Sequence, residues 1–250
     1  MVVMPGGLVK RGECWFDDEP EPGVDVVHFT QCPKPRADSF TEFYTLVIDL
    51  EKEPEDILGA MNSTTRNEIR RAEGKDLLRQ EWKHNPSTEY VEEFCDFFDE
   101  FSRLKLLPLM DRSKAHAYSS AGVLRFSRML ARDGTLLTWS AFYGSEERLR
   151  WLWGPSLFRA SDDPSFRQVV GRATRYNHYC CMLQAREMGI EVYDLGGWYP
   201  GDTDQARLSI NKFKEGLGGR MLIEYNGTVP MTLLGRTYLL AQRARQLAGR

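Results

Sequence analysis

Apolar residues along the chain fall into two rhythms, a tight strand-like one and a looser helical one. Phe43–Leu50 (FYTLVIDL) is a β-branched and aromatic run that predicts a strand. Before it, Cys14–Phe16 and Val24–Phe29 are shorter strand-like runs, parted by the acidic, proline-bearing Asp17–Gly23. Pro33 and Pro35 then close this lead-in as a linker would. Two helical stretches follow, Pro54–Met61 and Ser63–Lys75, divided at Asn62-Ser63-Thr64, whose side-chain oxygens suit the free amides of a first turn. Leu78–Lys83 reads as a second strand. In Thr88–Leu104, Val91, Phe94, Phe98 and Phe101 recur at helical spacing with acids between them. Ser113–Arg132 is expected to be a further helix, stopped by Asp133-Gly134.

Strand-like Leu136–Tyr143 and Arg148–Trp153 flank Gly144-Ser145 and predict a hairpin. The polar Ser156–Ser165 leads to a long helix over Phe166–Met188, with the stripe Val169, Ala173, Tyr176, Cys180, Leu183 towards a sheet and Gly189 as its C-cap. Strand Glu191–Leu195, a glycine-rich loop, strand Arg220–Tyr225 and helix Met231–Leu247 complete the pattern. The order predicts an α/β fold with a mixed sheet. The hairpin breaks a purely alternating nucleotide-binding pattern, and no G-x-G-x-x-G follows the first strand. Residues 1–41 read as a lead-in, 42–230 as the main domain and 231–250 as a helix packed on it.

Composition changes little. No apolar run approaches 18 residues, so no membrane span is expected. Pro5-Gly6-Gly7 interrupts the place where a signal peptide needs continuous apolar residues, and a cytoplasmic protein is the expectation. The five cysteines form no C-x-x-C pair and the four histidines no H-x-x-x-H, so reduced, core-filling thiols and no metal site are expected. Charge is uneven. Glu89–Glu100 carries six acids and no base, whereas Ala206–Arg250 holds eight Lys/Arg against Glu215 and Glu224. Such asymmetry either attracts an anionic ligand or marks two solvated faces.

Two stretches carry candidate chemistry. Gln168-Val169-Val170-Gly171-Arg172-Ala173 opens the long helix, where unpaired amides, the positive dipole end, a close-approach glycine, and Arg167 and Arg172 would suit a phosphate. A glycine tolerated against the sheet is the plainer alternative. Tyr193-Asp194-Leu195-Gly196-Gly197 puts a carboxylate at a strand's end, where open α/β sheets bind ligands. Lys214, within Phe213-Lys214-Glu215-Gly216-Leu217-Gly218-Gly219, returns on a glycine-flanked segment able to lie beside that rim.

YDLGG…FKEGLGG resembles the Y-D-[FLW]-G-G…F-K-x-G-[FL]-G-G signature of the Fem-type peptidoglycan aminoacyltransferases and their GNAT-like relatives. Thr65–Glu73 (TRNEIRRAE) resembles the family's T-R-x-x-I-R-x-A-E helix, and Gly171–His178 its G-R-A-N-[RK]-x-x-H helix start. Gln168, Gly171 and Ala173 also fit the Q-x-x-G-x-A turn that cradles coenzyme A in GNAT acetyltransferases. The three ordered matches span about Glu42 to Tyr225 and imply a GNAT-like acyltransferase fold, a mixed, mostly antiparallel sheet flanked by helices. They cover only the second of the two GNAT-like domains of Fem-type enzymes.

The resemblance implies acyl or aminoacyl transfer to an amine. Lys214 would steady negative charge on the donor's carbonyl oxygen or phosphate, and Phe213 would position the acyl end. Asp194 is the acid placed to help the amine lose its proton, or else a cap on nearby backbone amides. Arg66 and Arg70, at i and i+4, would meet donor phosphates or form a solvated face. Trp198-Tyr199 would stack on an adenine or plug a loop onto the core. A thioester donor on coenzyme A or an acyl carrier protein leads. An aminoacyl-tRNA donor is the alternative, disfavoured by the slightly acidic net charge of −3 and the lack of a heptad arm. A non-catalytic binding module remains the reading from another class. No DNA contact is implied, and the amine acceptor, a small molecule or peptide, is not legible.

Overall fold

The computed structural model describes residues 1–37 and 39–248. In chain order the strands and helices are β1 (Val2–Met4), β2 (Arg11–Trp15), β3 (Val26–Cys32), β4 (Thr41–Asp49), α1 (Pro54–Ala60), α2 (Ser63–Gly74), β5 (Arg79–His84), α3 (Thr88–Lys105) and α4 (Arg112–Ser120). They continue with β6 (Leu124–Leu130), β7 (Leu136–Gly144), β8 (Arg148–Trp153), α5 (Pro164–Glu187), β9 (Val192–Gly197), α6 (Gln205–Gly216), β10 (Arg220–Pro230) and α7 (Leu233–Ala248). The chain divides into two compact units, Met1–Tyr44 with Ile223–Arg250, and Thr45–Leu222.

In the larger unit the strand order is β4-β9-β8-β7-β6-β5. Every neighbouring pair is antiparallel except β8 and β9. Burial along β6 shows why two helix layers are needed. Phe126 packs on Phe94 of α3, with ring centroids 4.8 Å apart, while the next residue, Ser127, turns to the other face and bonds Asn177 of α5 at 2.6 Å. Met129 continues on the α5 side with Val170 and Ala173. The sheet is thus covered on both faces, as its apolar content demands. On the α5 face Ile48, Ile57, Ile69, Phe142, Leu149, Met182, Tyr193 and Leu217 form one core cluster. A mixed, mostly antiparallel sheet flanked by helices matches the fold class expected from sequence.

Local signals behaved as their chemistry requires. Asn62 caps α2 by accepting from the Thr65 amide, and Gly189 ends α5 at φ +80°. Cys14, Cys32, Cys95 and Cys181 are buried. Two readings are corrected. The helix expected over Ser113–Arg132 stops at Ser120, and Leu124–Leu130 is strand β6, because Gly122 at φ +70° breaks the helix and pairing with β5 and β7 wins over local propensity. The segment after β9 is not wholly loop. It contains helix α6, started by Asp204, whose carboxylate accepts from the Ala206 and Arg207 amides.

In the smaller unit β1, β2, β3 and the Tyr225–Pro230 part of β10 form a sheet, with β2 and β3 parallel. The strand-like runs of the lead-in are therefore ladder members. Helix α7 is seated through its first turn: Thr232 Oγ1 donates to Asp25 at 2.7 Å, and a Cβ on Gly235 would lie 1.9 Å from the Asp25 carbonyl oxygen. Only glycine permits that approach.

Candidate active site

The site forms where β8 and β9 part. Their ladder pairs Arg148 with Val192, Leu149 with Tyr193 and Arg150 with Asp194, then ends, although both strands run on to Trp153 and Gly197. Gly196, at φ +73°, makes the turn possible, since a side chain there would meet the Arg150 guanidinium and the Trp151 carbonyl at 3.1 Å. Asp194 lies beneath it, fully buried. Its carboxylate accepts from Thr45 Oγ1 at 2.5 Å, Arg148 Nη2 at 2.6 Å and the Gly196 amide at 2.7 Å. Burial alone would raise its pKa, but Arg148 and Arg150, with these hydrogen bonds, hold it below the usual carboxylate value.

Asp194 was a candidate for accepting the amine's proton. Enclosed, ionised and fully engaged, it instead anchors the turn. The amide-capping alternative is the geometry observed, extended by a buried ion pair that sequence reading missed. The signal open to the sequence was Arg148-Leu149-Arg150, two bases at i and i+2 that share one face of a strand.

Lys214 occupies the last turn of α6 and is 5% exposed. Its ammonium donates to the Gly197 carbonyl at 2.5 Å and lies 5.7 Å from the centre of the Trp151 ring. Burial chiefly, then the Arg150 charge, lowers its pKa to about 8, while Asp194 pulls the other way. Phe213, half-buried, sits against Trp151 and His178 with Arg175 over its ring. His178 is fully buried, with Nδ1 on the Tyr193 hydroxyl at 2.6 Å and Nε2 lacking a hydrogen-bond partner among the described residues. Burial, and then Lys214 and Arg175, depress its pKa to about 3, so the imidazole is neutral. Trp151, His178 and Tyr193 were not singled out from sequence as site residues; each resembles an ordinary core position until Lys214 is brought beside them.

The glycines after Lys214 have a packing role. A Cβ on Gly216 would press on Asn62 and Thr65 at 3.0 Å, and one on Gly219, at φ +102°, would lie 2.6 Å from the Val47 carbonyl oxygen. They let the end of α6 close onto α2 and β4, which fixes Lys214 at the rim. Asn211 binds both the amide and the carbonyl of Tyr199, at 3.0 and 2.8 Å, and Trp198 donates to Glu215 at 3.2 Å. Beside Gly197 opens a cavity of about 260 Å³, lined by Trp198, Tyr199, Arg207 and Ile210 among others.

The other expected donor-site residues do not gather here. Helix α5 begins at Pro164, so Gln168, Gly171, Arg172 and Ala173 lie a turn inside it, beyond the amides a helix start leaves unpaired. Arg172, expected on a phosphate, is buried against Asp76 at 2.5 Å, and Ala173 is core. Gln168 is exposed and Gly171 half-exposed. Arg66 turns back to the Gly59 and Met61 carbonyls and ties α2 to α1, while Arg70 is exposed.

No family model matches the chain, and no curated protein sequence matches it. Solved structures do. FemX aligns over 82% of this chain with a TM-score of 0.60 and 14% identity; the chain spans 65% of FemX, less than two thirds of its length. The C-terminal domain of a protein assigned as a lysylphosphatidylglycerol synthetase from Agrobacterium fabrum aligns over 95% of this chain and 83% of that one, with a TM-score of 0.56 and 12% identity. L-PGS from Bacillus licheniformis aligns over 87% of this chain and 72% of its own, with a TM-score of 0.52 and 14% identity. The chain shares its fold with FemX and with these synthetase structures.

Proposed function

We propose that the protein transfers an acyl group from an activated donor to an amine at the rim of β9. The observation that carries this reading is the Lys214 ammonium, buried on the Gly197 carbonyl at the opening between β8 and β9. A fixed, desolvated cation stabilises the negative charge that develops on a donor carbonyl oxygen when an amine attacks its carbon. Loss of one such donor typically costs 10²–10³ in rate, roughly 3–4 kcal/mol. The tetrahedral adduct then collapses, the thiolate or alkoxide departs, and the amine's proton passes to it or to solvent. Phe213 and Trp151 form an apolar wall beside Lys214, and the cavity next to Gly197 has room for the acyl end of a donor. Asp194 is a positioning residue that holds Arg148 and the Gly196 turn.

A thioester of coenzyme A or of an acyl carrier protein is the favoured donor. The fold likeness to FemX and the synthetases, with the Fem-type motifs, keeps an aminoacyl-tRNA donor as the second reading. Calorimetric titration of the full chain with coenzyme A, acetyl-CoA, a phosphopantetheinylated acyl carrier protein and deacylated tRNA tests both. Heat with the coenzyme A species or the carrier protein supports a thioester donor, and heat with tRNA alone an aminoacyl one. Binding of none removes the donor-site reading.

A further inference from the structure

Helix α7 leaves its leucines in water. Leu233 is 82% exposed, Leu240 58% and Leu247 74%, and they recur every seven residues. At 3.6 residues per turn, Leu233, Thr237, Leu240, Ala244 and Leu247 fall within about 80° of one face. Gly235, on the opposite side, is the residue pressed to Asp25. Leu234 is itself 51% exposed, so none of these leucines is core among the described residues. Arg236 and Arg243 line one shoulder of the stripe and Arg245 stands towards the other. Met231–Ala248 contains no acidic residue.

An apolar stripe with arginine shoulders, on a helix whose opposite side faces its own unit through Gly235, Leu239 and Gln242, matches what a bilayer surface accepts: leucines at the acyl boundary, guanidinium groups among headgroup phosphates. A second copy of the helix fits less well. Pairing along the leucines would bring arginine towards arginine with no carboxylate to pair with them. The net charge of −3 supplies no general attraction to an anionic surface, so any attraction must be local to this helix. We propose that α7 docks the protein, reversibly and lying flat, on anionic lipid membranes.

Co-sedimentation of the full chain with vesicles tests this. Binding is expected to phosphatidylcholine vesicles containing phosphatidylglycerol, weak binding to phosphatidylcholine alone, and loss at high ionic strength. Replacing Arg236, Arg243 and Arg245 together by Gln should lower partitioning roughly a hundredfold. Leu240→Glu with Leu247→Glu should abolish it. Both leucines are exposed, so that variant should keep the parent's melting temperature. The proposal fails if neither vesicle binds the chain, if both bind it equally, or if the double-Glu variant binds as the parent does. It also fails if gel filtration shows a concentration-dependent dimer that Leu240→Glu dissolves, because the occupant of the stripe is then a second copy.

Discussion

Replacing Lys214 by methionine should make the protein more stable while removing its activity. The ammonium is 5% exposed, and the fall of its pKa from 10.5 to about 8 corresponds to roughly 3 kcal/mol of destabilisation at pH 7, where folded and unfolded chains both carry the proton. Methionine fills similar space without a charge, but forfeits the bond to the Gly197 carbonyl, worth about 1 kcal/mol. The net gain is about 2 kcal/mol, or a rise in melting temperature on the order of 4–8 °C for a chain of this size. The sign of its pH dependence is fixed. As pH rises through about 8 the folded lysine gives up its proton before the unfolded one does, so the parent recovers stability and the advantage of methionine shrinks towards pH 10. Denaturant titrations of both proteins at pH 7 and pH 10 measure this. A destabilised variant at pH 7, or an advantage that does not shrink at high pH, would refute the reasoning that burial holds this lysine at a cost for the sake of its charge.

Asp194→Asn should cost roughly 3–5 kcal/mol in a chemical melt, because it leaves Arg148 buried without its counter-charge. The folded pKa of Asp194 is depressed, so the parent's advantage over the variant should be present above about pH 4 and fade as pH falls below it. Gly219→Ala places a Cβ 2.6 Å from the Val47 carbonyl oxygen at φ +102° and should lower stability by about 1–3 kcal/mol, read as a reduced melting temperature. If the Lys214 ammonium is the working form, the transfer rate should decline as pH rises through about 8, and a steady rise through pH 9 would instead make the neutral amine the active species. Arg172→Met should change the melting temperature yet leave coenzyme A binding unaltered in calorimetry, since Arg172 is closed against Asp76.

The strands with strong β-branched or aromatic content, and the helices with capped ends, were legible in the sequence because their local preference and tertiary environment agree. Leu124–Leu130 was not. The adjacent polar pair Ser127-Arg128 breaks the alternation that would mark a strand, and only pairing on both edges commits the segment to the sheet. The site divides the same way. Lys214 and the Asp194 turn were visible through glycine spacing, which reports close backbone approach. The partners that define their chemistry come from elsewhere: Arg148 and Arg150 from β8, His178 from α5 and Thr45 from β4. No local pattern joins positions 149 residues apart such as Thr45 and Asp194. The phosphate reading of Gln168–Ala173 missed because Pro164, a good first-turn residue, starts α5 earlier and moves that stretch into the helix interior.

The pair of hydrogen bonds between the Asn211 side chain and the Tyr199 backbone divides the region after β9 into a fixed frame and a variable insert. Tyr199 is clamped at one end and the Asp204 cap holds the other; between them, residues 200–203 form a short loop that touches the frame through Thr203 on the Tyr199 hydroxyl and Gly201 under its ring. Lengthening such a loop costs little closure entropy. A library of insertions there would vary the rim of the cavity while Lys214 kept its seat, which makes this loop the natural entry point for changing which acyl group the cavity takes.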